Sequence, residues 1–342
     1  MSESHIFVTR RIPEAGLEIL RDSEARVTVF QNDEEKGLSA EELLAGITGC
    51  DVLVPLLTEP LGRDVLSQAE GLLGIAQMAV GYNNIDVRAA TELGIPVSNT
   101  PGVLTETTAD FTWAMLLSVA RCVPQAHNYM AAGRYKLWGP NLFLGGDLGT
   151  GASGRRKVLG VVGYGRIGQA VAKRSIGFDM DVLAFDPYGK DLIDADEMAT
   201  WAELPELLER SDFVTLHPPL TPETHHLISI DELRQMKETA YLINAARGPV
   251  VDEKALVQAL RENWIAGAAL DVFEDEPAMA EGLAELDNAS IFPHIASASH
   301  DTRSRMATMA ATNALAHLAK EPAPNIVNPE VYDTDAYRRR IG

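Results

Sequence analysis

Short β-branched apolar runs alternate with helical patterns through the first hundred residues. Positions 5–10, 26–31, 51–57, 72–80 and 95–100 read as strands, and 13–22, 40–47, 62–69 and 86–93 between them read as helices. After the break at Pro101-Gly102, residues 105–123 predict one helix that is apolar on several faces, with Phe111, Trp113, Met115, Leu116 and Leu117, and therefore buried. A Gly-rich excursion over 139–156 carries Asp147 and Ser153 and ends on Arg155-Arg156-Lys157. A second series follows, with strands expected at 158–162, 181–185, 213–216, 240–244, 267–272 and 290–292. A helix at 302–318 and a charged, disordered tail close the chain. Strands alternating with helices imply parallel sheets covered on both faces, hence an α/β protein of two doubly wound, Rossmann-like domains. The expected division is discontinuous, with 1–100 plus 299–342 in one domain and 101–298 in the other. Ser39 with Glu42, and Ser229 with Glu232, have the spacing of capping boxes at helix starts.

Composition narrows the function classes. At 342 residues and 46% hydrophobic content the chain can bury two cores. No apolar run is long enough for a bilayer, and the first residues lack a secretory pattern, so the expected location is the cytoplasm. Two cysteines, Cys50 and Cys122, show no C-x-x-C pairing and are expected to be buried thiols. There are 49 acids against 29 bases, of which only eight are lysine, and the net charge of -20 argues against nucleic acid or anionic membranes as partners. Such a surface would also suit a high-salt interior.

The strongest local signal is the set Gly163, Gly165 and Gly168 with Tyr164, Arg166 and Ile167 between them, directly after the apolar run at 158–162. This is the G-x-G-x-x-G spacing of a dinucleotide turn: tight at the first glycine, open to the pyrophosphate at the second, close to the strand at the third. Asp186 ends the next strand, where a carboxylate can accept from ribose hydroxyls and disfavours a 2'-phosphate, pointing to NAD over NADP. Arg247 follows another strand at the carboxyl end of the sheet, where a guanidinium suits a substrate carboxylate, although a surface ion pair would give the same pattern. His294 ends the last strand downstream of Glu274, Asp275 and Glu276; a carboxylate beside an imidazole favours its protonated form, as a general acid requires. The doublet His225-His226 lacks other ligands at metal spacing and reads as exposed loop histidines, and no metal site is expected.

Gly-Tyr-Gly-Arg-Ile-Gly, the strings VTLHPPLTPETHHLI, NAARGPVVDEKAL and GAALDVFEDEP, and PHIASAS together resemble the D-isomer-specific 2-hydroxyacid dehydrogenases. AVGYNNID, NTPGVLTETTADFTWAMLL and Trp138 before Pro140 are most similar to the glyoxylate and hydroxypyruvate reductases of that family. The resemblance implies NADH-dependent reduction of a small 2-oxo acid to the D-2-hydroxy acid in a cleft between domains. It implies that Arg247 holds the substrate carboxylate, that His294 donates the proton, and that Glu276, immediately before the proline, is its partner. Backbone N–H groups at Val80 and Gly81 would complete the carboxylate site, with Leu56 and Leu57 lining it. Asp271 is implied to meet the nicotinamide carboxamide, and Thr108, His217, Pro218, Ala245 and Ala246 to flank the cofactor. Trp138 is implied to reach a neighbouring subunit's site in a homodimer. Alternatives within the family are a 3-phosphoglycerate dehydrogenase or another 2-hydroxyacid dehydrogenase; outside enzymes, a dinucleotide-sensing corepressor carries the same residues. Two departures stand out. Ala296 occupies a usual glycine position, and the basic linker before the glycine turn is long, leaving contact with the cofactor phosphates as one role for its bases.

Overall fold

A computed structural model describes residues 3–30, 36–151 and 154–342. Gln31 and Ser153 lie outside them. In chain order the elements are β1 (His5–Val8), α1 (Glu14–Arg21), β2 (Arg26–Val29), α2 (Ala40–Thr48), β3 (Val52–Val54), α3 (Arg63–Leu66), β4 (Gly74–Ala76), α4 (Val87–Glu92), β5 (Val97–Ser98), α5 (Thr105–Ala120) and α6 (Val123–Ala131). The second half adds β6 (Val158–Val162), α7 (Arg166–Arg174), β7 (Asp181–Phe185), α8 (Lys190–Asp194), β8 (Thr200–Trp201), α9 (Leu204–Arg210) and β9 (Phe213–Leu216). It continues through α10 (Ile230–Gln235), β10 (Tyr241–Asn244), α11 (Glu253–Arg261), β11 (Gly267–Leu270), β12 (Ala289–Ile291), α12 (His300–Leu318) and α13 (Asp335–Ile341).

These form two compact units, Met1–Leu104 with Ala298–Gly342, and Thr105–Ser297. In the first, five parallel strands run in the order β2-β1-β3-β4-β5. The Ile, Val and Leu side chains of β1, β3, β4 and β5 are buried on both faces, as a helix-covered parallel sheet requires, while the valines of edge strand β2 are partly buried. Helix α12 closes one face against α1, so tightly that a Cβ on Gly16 would stand 2.7 Å from Ala307. The Ser39 capping box is formed in full, Ser39 N–H donating to Glu42 and Glu42 N–H to Ser39 Oγ. Ser229 N–H donates to Glu232 in the same way at the start of α10.

The second unit orders its seven parallel strands β12-β11-β10-β9-β6-β7-β8. Strand order reverses between β6 and β9, the switch point at which doubly wound sheets open a crevice above their carboxyl ends. Helix α5 packs on α7, β10 and β11; Trp113 stacks on Phe178 at 4.7 Å and donates its indole N–H to Val171 O.

Several expectations are corrected. The helix expected over 105–123 is two, because Cys122 adopts a left-handed φ of 51° and Pro124 starts a new helix without needing an N–H donor. Cys122 is partly exposed; only Cys50 is buried, with its thiol pushed up to about 12 by burial. The second series has a seventh strand, β8, two residues long. The C-terminal tail is ordered as α13, and Arg340 donates to the carbonyls of Ala69, Glu70, Leu72 and Leu93. No described helix is long and apolar enough to cross a membrane.

Candidate active site

Each strand of the second unit that approaches the switch point hands a candidate residue to its carboxyl end: Gly163 after β6, Asp186 after β7, His217 after β9, Ala245 to Arg247 after β10, Asp271 after β11 and His294 after β12. At the first of these, Gly163 holds φ 87°, and a Cβ there would lie 2.7 Å from the backbone of His217 and Pro218. A Cβ on Gly168 would lie 2.1 Å from Gly163 O, whereas space over Gly165 is open at the N-terminus of α7. These are the three requirements of a pyrophosphate turn, met by three different glycines, so the residues fit a dinucleotide. Asp186 accepts from Tyr164 N–H at 2.9 Å and Tyr188 N–H at 3.0 Å, which fixes its carboxylate beside the turn with lone pairs to spare. The Tyr164 phenol, buried, donates to Asp196 at 2.8 Å and anchors the turn from below.

The basic linker is placed elsewhere. Arg155 pairs with Asp212 at 2.9 Å, Lys157 with the same carboxylate at 4.0 Å, and Arg156 with Asp179 and Asp181. These acids precede or open β9 and β7, so the three bases secure the amino ends of the strands, opposite the glycine turn, and do not meet phosphates.

The chemistry-bearing groups converge through the loops after β10, β11 and β12. His294 Nδ1 lies 2.9 Å from Glu276 Oε2, and Phe273 N–H donates to Glu276 Oε1 at 3.0 Å. Burial pushes the Glu276 carboxyl up, but the hydrogen bond and charge of His294, the Phe273 amide and Arg247 outweigh it and leave the group below its ordinary range. Glu276 is therefore ionised near neutrality and accepts from Nδ1–H, which leaves Nε2 to face a reactant. Arg247 is mostly buried; desolvation lowers it and Glu276 opposes that shift, so it stays a cation beside the pair. Its backbone is pinned by Asn244, whose side chain donates to Arg247 O and accepts from Ala246 N–H. Gly248 follows because a Cβ there would fall 1.9 Å from the Phe273 carbonyl.

Asp271 is fully buried and accepts from Ile295 N–H at 2.8 Å and Ala296 N–H at 2.7 Å, with its carboxyl pushed up by burial. Its oxygens thus shape the turn that holds His294 at φ 54°. Thr108 is buried on α5, while Trp138 is 71% exposed. In the first unit, Leu56 and Leu57 follow β3, and Val80 and Gly81 follow β4. Asn99 donates to Val80 O, Gln77 to Gly81 O and Asn84 to Leu56 O, so these segments are held by amides the sequence reading did not single out. His226 is also repositioned: it is partly buried, with Nε2 2.8 Å from Glu274, and only His225 is exposed. No cluster of three or more potential metal-ligating residues occurs among the described residues.

The family model for the D-isomer specific 2-hydroxyacid dehydrogenase, NAD binding domain, matches residues 113–296. The chain is 48% identical over 331 residues to a glyoxylate reductase of Korarchaeum cryptofilum, covering 95% of this chain and 96% of that protein. It is 46% identical to a glyoxylate reductase of Pyrococcus horikoshii at the same coverage. Among solved structures, a protein of Thermus thermophilus superposes with TM-score 0.85 at 43% identity, covering 94% of this chain and 99% of the other. An NADPH-dependent glyoxylate/hydroxypyruvate reductase of Sinorhizobium meliloti, in complex with NADP and malonate, gives TM-score 0.78 at 30% identity over 95% of this chain and 97% of its own. With its glycine turn, its seven-stranded sheet and its Arg, Glu and His at the strand ends, the chain belongs to the D-isomer-specific 2-hydroxyacid dehydrogenases, oxidoreductases with a nucleotide-binding Rossmann domain.

Proposed function

We propose that this protein reduces glyoxylate and hydroxypyruvate to glycolate and D-glycerate with NADH, in the cytoplasm. The observation that carries the reading is the contact of His294 Nδ1 with an ionised Glu276 at 2.9 Å, next to a mostly buried Arg247. Gly163, Gly165 and Gly168 would hold NADH, which would supply the hydride for the carbonyl carbon. Arg247 binds the carboxylate of the 2-oxo acid and orients its keto oxygen toward His294, and the Val80 and Gly81 amides, with Leu56 and Leu57, are assigned to the same substrate. His294 Nε2 then gives its proton to the oxygen that becomes the hydroxyl. Glu276, accepting from Nδ1–H, fixes the tautomer and orientation of the ring so that Nε2 carries the proton to be given. Thr108, His217, Pro218, Ala245, Ala246 and Asp271 are assigned to the nicotinamide side of the cofactor.

The preference for NADH rests on Asp186, held beside the turn by the Tyr164 and Tyr188 amides. The nearest base in sequence, Lys190, sits 4.1 Å over the Trp201 ring and pairs with Asp194 at 3.1 Å. An anionic Asp186 would meet a 2'-phosphate with like charge. A homodimer is supported by the exposed apolar side chains of α6 and the following excursion, Met130, Leu137, Trp138 and Leu144 among them. Trp138 is the side chain we assign to the neighbouring subunit's substrate site.

Initial rates of NADH and NADPH oxidation with glyoxylate, hydroxypyruvate, pyruvate and 3-phosphohydroxypyruvate test this reading. Fast turnover of the first two with NADH is expected. Reaction of the phosphorylated acceptor alone would replace it with a 3-phosphoglycerate dehydrogenase, and absence of turnover with all four would overturn it in favour of a dinucleotide-sensing binding module.

A further inference from the structure

Behind Glu276 lies a second carboxylate–histidine pair that the mechanism above does not use. His226 Nε2 is 2.8 Å from Glu274 Oε2, two residues before Glu276. Glu274 Oε1 accepts from Glu253 N–H at 2.8 Å, and Glu274 N–H donates back to the Glu253 carboxylate, which also accepts from Ala280 N–H at 2.8 Å. The loop on either side of Glu276 is thereby tied to the first turn of α11. His226 has a second attachment, its own N–H donating to Pro249 O at 2.7 Å, two residues beyond Arg247. It is held in the left-handed region at φ 51°, so its neighbours over-determine a conformation that a β-carbon disfavours. One residue therefore joins the segment that presents Arg247, through its backbone N–H, to the loop that presents Glu276, through its imidazole. The ionisable groups around it are Glu274, Asp252 at 4.0 Å and the stacked ring of His225 at 4.1 Å, with Glu253 one hydrogen bond further.

We propose that His226 and Glu274 are positioning residues of the reaction, a brace that sets the register of Glu276 against His294 and of both against Arg247. The inference rests on the roles assigned above to Glu276 and His294. A carboxylate displaced by a fraction of an ångström holds the imidazole proton less firmly and aims it less well, and misalignment of this size is costly in turnover.

The test is the pH profile of NADH-dependent glyoxylate reduction between about pH 5 and 9. It compares the full-length wild type with His226→Leu, His226→Gln, Glu274→Gln and, as reference, Glu276→Gln. His226→Leu is expected to lower kcat about tenfold, to leave KM for NADH within about twofold, and to move the alkaline limb of kcat to lower pH, because His294 loses its proton more readily. His226→Gln keeps an N–H at nearly the position of Nε2 and is expected to recover most of kcat and the limb. An unchanged kcat and limb in His226→Leu would overturn the proposal. So would a reduced kcat with an unmoved limb and no recovery in the glutamine variant, the signature of loss of folded protein alone. Should His226→Leu fail to fold, Glu274→Gln breaks the same contact with little change of size and is read by the same criteria. If the limb fails to move in Glu276→Gln, the roles given to Glu276 and His294 are wrong, and this inference falls with them. If it moves there but not in the brace variants, only the brace is wrong.

Discussion

At the scale of single residues, the site separates binding from proton transfer. Arg247→Ala should raise KM for glyoxylate and lower kcat together, and Arg247→Lys should rescue little, because a lysine ammonium cannot reproduce a two-pronged grip on a carboxylate. His294→Ala should lower kcat by about 10²- to 10⁴-fold with a smaller change in KM, as for a lost general acid. Steady-state kinetics on the purified variants distinguishes the two patterns; wild-type-like constants in either would remove the assigned role. Two other histidines govern stability. Burial pulls His217 down to about 3 and His317 down to about 4, from an ordinary value of 6.5. Between pH 6.5 and about 4 the unfolded chain takes up protons on both rings while the folded chain does not, so their contribution to stability is full above 6.5 and is lost as the pH falls. The urea midpoint of the apoprotein should therefore fall across that window, and less steeply in His317→Asn; an identical slope would mean that this ring is not held neutral.

At the scale of elements, the closest backbone approaches are the sharpest test. Gly248→Ala pushes a methyl group into the Phe273 carbonyl, shifting the end of β10 against the loop after β11. It should cost about 1–3 kcal/mol in stability and reduce kcat along with it, readable as melting temperature and turnover of the same sample. A variant that kept both would show that these segments need not touch. The glycine turn, every strand except β8 and the Ser39 cap were legible because each is written within a dozen residues, as an apolar run, a fixed spacing or a capping pair. What escaped the sequence depends on partners far along the chain. Two-residue β8 has no periodicity to read and exists by pairing with β7. Arg340 belongs to a basic triplet, and only the carbonyls of residues 69–72 and 93 make it a cap. His226 and Glu274 stand 48 residues apart, so neither motif announces the other. Arg155 and Lys157 were open to reading as phosphate ligands until the fold carried them to the amino ends of the strands.

At the scale of the whole molecule, charge and exposed apolar surface dominate. A net charge of -20 with only eight lysines implies strong self-repulsion at low ionic strength. Raising KCl from about 0.1 M to about 1 M shortens the screening length from about 10 Å to about 3 Å, and should raise both the melting temperature and the specific activity. Values flat or falling with salt would show that this surface is not tuned to screening. For assembly, light scattering should give twice the mass of the 37.1 kDa chain. Charged substitutions at Leu137 and Leu144, which are 84% and 70% exposed, should return it to one; a monomeric wild type would refute the dimer.

The discontinuity of the first unit also has a temporal side. The chain leaves that unit at Leu104, completes residues 105–297, and only then supplies the helix that seals α1, β3 and β4. On a ribosome synthesising at roughly 5–20 residues per second, the nucleotide-binding unit emerges as one uninterrupted stretch and can close first. The amino-terminal sheet waits with an uncovered apolar face until α12 arrives. The unit whose strands are made before residues 105–297 is thus finished after them, and the interval before α12 is the period in which a chaperone would have most to hold.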